Sequence, residues 1–502
     1  MQRALTLLLL ACVGVGTAVG AAYCQPVADR LAAGRTADAA VQDVMSPKPP
    51  PLPRSSLQPH ELALIVAEGD ASSEAIARAY QRARGIPEAN LVRVAMATSS
   101  DVISSADFAD LKARIDAALP AHVQATLLTF MRPSRVQGLC SMGITSALAL
   151  GYDAGYCGGC ARTKPSPYFD TDTTRPFSDL AIRPSMMLGA ANLAEAQTLI
   201  QRGLAAEGSR PAGVGYLVRT NDAARSVRHP DWVDLPAAWA GPGGFELRYL
   251  DNSAVPMPPP PPPPPATPGA SASASAPAPA PAPAPAVSDQ TRLMFYFTGQ
   301  THVPGIHSNR WLPGAVADHL TSSAGVLPDG ASQMPITEWL RAGASASYGT
   351  VEEPCNHVGK FPKVSVLLEH YQRGATLIEA YWKSVATPGQ GLFVGDPLAR
   401  PWPDVPSSQI IDGVWTLQTR SLRRGALYRA EWRANANAPW QPLSSFIATR
   451  PQPSTWRVVL PTPVQHALAP APGTPAPSGG QLRWMGPCPT AAVLTCELSR
   501  SD

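Results

Sequence analysis

Residues 61–85 read "ELALIVAEGDASSEAIARAYQRARG". Leu62 to Ala67 are continuously apolar between Glu61 and Glu68, the length and pattern of a strand buried on both faces. The period then changes. Asp70 to Ser73 offer helix N-caps, Ile76, Ala79, Tyr80 and Ala83 share one helical face, and Gly85 stops the helix. A doubly buried strand followed by an amphipathic helix is the building unit of a parallel sheet covered on both sides.

The unit recurs through residues 59–402. "NLVRVAM", "ATLLTFM", "SMMLGA", "GVGYLVR" and "RLMFYFTG" read as strands, with "SADFADLKARIDAAL" and "LAEAQTLIQRGLAAEG" as helices between them. "PGAVADHLTSSAG" and "ITEWLRAGA" are expected to be helical, "SASYGTV" a strand, residues 364–386 two helices, and "GLFVGDP" a strand and turn. The expected body is α/β, a mostly parallel sheet flanked by helices. Residues 405–502 differ: "GVWTLQTRS", "ALYRAEWRA", "SSFIATR", "TWRVVLP" and "QLRWMG" alternate over short stretches broken by Pro, Asn and Gly. They predict a small antiparallel β-sandwich-like domain.

Two low-complexity stretches interrupt this order. Residues 23–58 are Ala/Pro-rich and read as a spacer. Residues 257–287 are almost wholly Pro, Ala and Ser, and proline lacks the N–H that a ladder or helix requires. With "FELRYLD" before it and "LMFYFTG" after it, the block reads as a surface insertion within one domain, contributing nothing to the core beyond its first side chain.

The 502-residue chain is 45% hydrophobic, only 15% charged and carries a net charge of +3. That balance, without a dense Lys/Arg cluster, argues against a nucleic-acid partner. Arg3 precedes the apolar run 4–22, which ends in small residues and reads as a secretory signal peptide over residues 1–22, with an uncleaved anchor as the alternative. Tyr23 is too bulky for lipidation at Cys24. The protein is therefore expected in the periplasm or at the cell surface, touching a membrane only through this segment. Export makes disulfides the first reading of Cys140, Cys157, Cys160, Cys355, Cys488 and Cys496. Cys488 and Cys496 are expected to pair, and the other four allow three pairings.

Sites of parallel sheets gather at the carboxyl ends of strands. His302 and His307 follow "LMFYFTG", Glu352, Cys355 and His357 follow "SASYGTV", and Asp396 follows "GLFVG". The segment containing Asp318, His319, Ser322 and Ser323 completes the set; as a helix it would turn Asp318 and His319 to solvent. Ser322 or Ser323 with His302 as base and Asp318 or Asp396 as orienter has the residue types of acyl transfer, though no nucleophile elbow is present. Cys355 with His302 is the thiol version. Cys157, Cys160, Cys355 and His357 also have the chemistry of a tetrahedral zinc set, which an oxidising compartment disfavours, so neither a metal nor a cofactor is expected. Asp396 in "GDP" reads foremost as an Asx turn.

The stretches "AIARAYQRARGIPEANLVRV", "SMGITSALALGYDAGYC", "FTGQTHVPG", "WLRAGASASYGTVEEPCNH" and "TLIEAYWKSVATPGQGLFVGDPL" resemble an uncharacterised exported bacterial family of species that carry the exosortase protein-sorting system. The resemblance covers about residues 60–402 and implies an envelope setting, without an assigned activity. The order of landmarks is also distantly similar to caspase-like peptidases of the gingipain type. That comparison places His302 near the catalytic His, and Ser322 or Ser323 near the catalytic Cys, where this chain has no Cys. It implies a degenerate caspase-like domain that binds a polypeptide or surface polymer. The alternatives are a peptidase using His302 with Ser322, Ser323 or Cys355, and a zinc-stabilised structural protein.

Overall fold

The structure, a computed structural model, describes residues 54–241, 243–254, 287–448, 454–468, 480–487 and 496–497. The expected signal segment 1–22, most of the expected spacer, all of the 257–287 block except Val287, and Cys488 lie outside the described residues. The opening segment follows its pattern: Leu62–Ala67 forms β1, buried throughout, and Ala71–Arg84 forms α1. Asp70 caps α1 by accepting from the Ser72 and Ser73 amides, and Gly85 ends it at φ 66°. The first half continues with β2 (Leu91–Val94), α2 (Ser105–Ala118), β3 (Ala125–Leu128), β4 (Ser185–Met187) and α3 (Leu193–Ala206). The second comprises β5 (Val214–Arg219), β6 (Glu246–Asp251), β7 (Leu293–Gly299), β8 (Trp311–Leu320), α4 (Thr337–Ala342) and β9 (Ala346–Thr350). Helices α5 (Val364–Gln372) and α6 (Leu377–Ser384) then lead into β10 (Gly391–Gly395).

These strands form one ten-stranded sheet in the order β2-β1-β3-β4-β10-β9-β8-β7-β5-β6. All neighbours are parallel except β9 and β10, which pair antiparallel from Ala346↔Gly395 to Thr350↔Gly391. β10 therefore ends at the edge where β9 begins. The connection explains the reversal. One crossover helix returns the chain to the start of a parallel strand, whereas the two antiparallel helices α5 and α6 bring it back to the edge where β9 ended. Trp382 of α6 stacks on Phe393 of β10 at 4.5 Å, fixing the helical pair on this seam.

Asp396, placed by sequence with the other site loops, lies at the opposite edge, because β10 runs against β9. There it is fully buried, accepting from the Tyr80 hydroxyl at 2.6 Å and pairing with Arg84 at 2.5 Å, so it ties α1 to the end of β10. It also makes the expected Asx turn, accepting from the Leu398 amide at 3.1 Å.

Three further expectations are corrected. "PGAVADHL" is strand β8, between β7 and β9 in the sheet interior; Asp318 and His319 are buried on its two faces instead of facing solvent. Its Ala and Leu spacing mimics a helix, but Pro313–Gly314 opposes one, and Gly314 has φ 84°. Val287, the last residue of the Pro/Ala block, is buried, and its carbonyl accepts from Asn309. Ser56 and Leu57, at the end of the spacer, are buried too: the Leu57 amide donates to Glu379 and Arg400 donates to Ser56.

Beyond residue 405 the chain forms two small antiparallel sheets. Ser407–Ile411, Val414–Thr419 and Ser454–Val459 make one; Gln441–Ile447, Leu427–Arg433, Gln481–Gly486 and Cys496–Glu497 make the other. They enclose their own core, with Trp415 against Trp484 at 4.3 Å and Phe446 stacked on Trp456 at 3.9 Å.

Removing one partner of a buried ion pair leaves the other uncompensated. Asp396→Ala is expected to lower the unfolding free energy by about 3–5 kcal/mol in urea titrations. Asp396→Asn, which retains an acceptor for Tyr80, is expected to cost less.

Candidate functional site at the carboxyl edge of β7, β8 and β9

Strands β5, β7, β8 and β9 all end at one edge, so the loops that follow them meet there. A cleft of about 200 Å³ opens between them, walled by Arg225, Thr321, Ser322, Glu353, Cys355 and Asn356. Arg225, which sequence reasoning missed, is held by the Asp222 carboxylate at 2.8 Å and donates from Nε to Thr321 Oγ1 at 3.0 Å. Thr321 donates its own proton to Gln333 Oε1 at 2.8 Å, and the same oxygen takes the Ser323 amide at 2.9 Å. Thr350, the last residue of β9, donates to the carbonyls of both Thr321 and Ser322 at 3.1 Å. The cleft floor is thus hydrogen-bonded across β8 and β9.

One wall is a strap. Cys160 is disulfide-bonded to Cys355, and Cys140 to Cys157, which selects one of the three pairings. Cys157 and Cys160 of "CGGC" therefore turn to different partners, and the thiols of the zinc alternative are engaged as disulfides. The Cys355 amide donates to Glu353 Oε1 at 2.7 Å, which holds Cys355 at φ 52°. His357 donates to the Cys160 carbonyl at 2.6 Å, Lys360 donates to the Gly159 carbonyl, and Glu352 accepts from the Ser141 amide at 3.0 Å. Glu352 and His357 thus anchor the strap. The Cys160–Cys355 bridge spans 195 residues; in the chain-entropy picture, closing a loop of that size restricts the unfolded state by about 5 kcal/mol. The expected Cys488–Cys496 pair lies outside the described residues.

The nucleophile candidates fare differently. The Cys355 sulfur is in a disulfide. Ser323 donates its hydroxyl to the Gly330 carbonyl at 2.8 Å. Ser322 lines the cleft and makes no side-chain hydrogen bond to any described residue. His302 is exposed after β7, and His307 pairs at the surface with Glu338 at 3.2 Å. Among the described residues, no imidazole is hydrogen-bonded to a serine hydroxyl or a thiol.

Below the cleft, β8 carries two buried polar groups. Asp318 lies 2.7 Å from Arg228, which also donates to the Thr298 carbonyl at 2.7 Å. Burial pushes the Asp318 carboxyl up to about 6, against the opposing pull of Arg228. On the other face, His319 Nδ1 accepts from Trp339 Nε1 at 2.9 Å, so its proton sits on Nε2 and is given to the Met334 carbonyl at 3.1 Å. Burial lowers this imidazole to about 3. Neutral and satisfied at both nitrogens, His319 serves the fold. Comparison with protein-family models, with curated proteins and with solved structures finds no match to the chain.

The two β8 groups act oppositely on acid stability. Between about 3 and the ordinary 6.5, an unfolded His319 binds a proton that the folded one does not, so stability falls as pH drops through that window. Asp318, raised from 3.8 to about 6, holds its proton better when folded, so its contribution falls as pH rises between those values. Urea unfolding compared at neutral and mildly acidic pH is expected to show a shallower acid loss in His319→Gln and a steeper one in Asp318→Asn than in the parent protein.

Proposed function

We propose that the chain is an exported cell-envelope protein that binds an extended polypeptide or a surface polymer along the carboxyl edge of β7, β8 and β9, without cutting it. One observation carries this reading. The edge that gathers the residue types of acyl transfer has its sulfur and one of its two serine hydroxyls bonded to other protein groups, beside an open polar cleft. Arg225, Ser322, Glu353 and Asn356 present donors and acceptors of the kind that recognise main-chain amides or sugar hydroxyls. The degenerate caspase-like reading takes this form here: strand-end loops that hold a chain. Export rests on the N-terminal run, and the link to exosortase systems rests on the resemblance of residues 60–402.

A second reading has its own support. Ser322 faces the cleft with an uncommitted hydroxyl, so a hydrolase would use Ser322 as nucleophile and His302 as base. Incubation of the purified protein, lacking residues 1–22, with a proteome-derived peptide mixture separates the two. No new peptide termini are expected, and turnover abolished by either Ser322→Ala or His302→Ala would establish the hydrolase instead. Selection from a random peptide display library is expected to yield binders. An Arg225→Ala/Glu353→Ala double variant should hold them about tenfold more weakly, equivalent to about 1.4 kcal/mol.

A further inference from the structure

Helices α5 and α6 carry a second group of polar side chains on the side facing the C-terminal sheets. A cavity of about 90 Å³ lies there, lined by Arg54, Asp172, His370, Arg373, Lys383 and Tyr428. It shares no lining residue with the strand-edge cleft. The cavity is a junction between the two parts of the chain: Arg373 donates to the Ser421 carbonyl at 3.0 and 2.5 Å, and Arg420 donates to the Gln372 carbonyl at 3.1 Å.

Its charges are unevenly satisfied. Asp172 accepts from Arg373 at 2.8 Å and from Arg423 at 3.0 and 3.2 Å. Arg54 is taken up by Glu61 and Thr174. His370 donates to Asp170 at 3.0 Å, and burial holds its imidazole down to about 3, hence neutral. Lys383 stands apart. It is 2% exposed, lies over the Tyr168 ring at 5.2 Å and borders the cavity, yet its ammonium has no hydrogen bond or ion pair with any described residue. Burial lowers it to about 8, which leaves it largely protonated at neutral pH. Glu379, one turn earlier on α6, spends one oxygen on the Leu57 and Thr376 amides and the Thr376 hydroxyl. Its other oxygen is buried without a partner and does not reach ion-pair distance of Lys383. Tyr428, across the cavity, accepts from the Arg423 amide at 2.7 Å and retains its own proton to donate.

A buried ammonium without a partner is costly, and the neighbouring carboxylates are engaged elsewhere: Asp172 by Arg373 and Arg423, Asp170 by His370 and Arg423, and Glu61 by Arg54. We propose that the cavity binds a carboxylate group, its oxygens accepting hydrogen bonds from the Lys383 ammonium on α6 and the Tyr428 hydroxyl of the C-terminal domain. The ligand then fastens the two parts of the chain together. A free small acid and the carboxylate of a polypeptide end share this chemistry. The site stands independently of the strand-edge reading.

The test uses the protein lacking residues 1–22, with acetate as probe against chloride at matched ionic strength. Thermal unfolding and the NMR line width of carbon-13 acetate are the readouts. Acetate is expected to raise the unfolding temperature with saturation and to broaden specifically. Lys383→Met should weaken its binding at least tenfold, and Tyr428→Phe should weaken it to a lesser extent while testing the site should Lys383→Met fail to fold. Displacement of acetate by a short peptide with a free carboxyl end, but not by its amidated form, supports the site and assigns the polypeptide source. Displacement by acetate analogues alone supports it and assigns free acids. Three results would overturn it: no acetate effect beyond chloride, as when ordered water alone satisfies Lys383 and Glu379; acetate binding unchanged in both variants; or equal competition by the amidated peptide.

Discussion

The antiparallel ladder between β9 and β10 is the constraint on which the rest of the architecture depends. It is a contact in the ten-stranded sheet where direction reverses, and every backbone group along it must be paired because it is buried on both faces. The seam is tight. A Cβ at Gly391 would run into the Tyr348 ring and hydroxyl, and Gly395 adopts φ 138° against the Ser345 carbonyl, so neither position tolerates a side chain. The reversal also gives the two sheet edges different roles. The loops after β7, β8 and β9 frame the polar cleft, whereas the end of β10 is locked to α1 through Asp396.

Few charges, placed deep, hold this arrangement in register. Arg84 with Asp396, Arg228 with Asp318, and Arg373 and Arg423 with Asp172 each join elements distant in sequence. Such pairs add little net stability over well-packed apolar groups, because desolvation offsets their attraction. Their effect is selective, since a shifted helix or strand would strand a charge in the interior. Arginine is well suited to such positions because its fork serves several acceptors, as Arg373 does with Asp172 and Ser421.

Much of the fold was legible because hydrophobic period is a local property. β1, α1, β3, α3 and β7 stand where their patterns put them, as do the short strands beyond residue 405. β8 was not legible: a strand in the sheet interior can bury Asp318 and His319 only through Arg228, Met334 and Trp339, none of them adjacent in sequence. The direction of β10 was within reach, since two helices were already visible between it and β9, and an even number of helices returns the chain to the same edge. The site was harder. The sequence put Cys355 and His357 on one loop, but only the fold brings Cys160 to them. Arg225 gave no signal beyond the nearby Asp222, and Lys383 looked like any helical lysine until its burial was known.

The bridge between Cys160 and Cys355 has a topological result. Every residue from β4 to β9, including the Pro/Ala block, lies in the chain interval that it closes. A protease that cuts anywhere in that interval yields two fragments that remain one covalent molecule. Such a nicked chain migrates as intact without thiol and separates only after reduction.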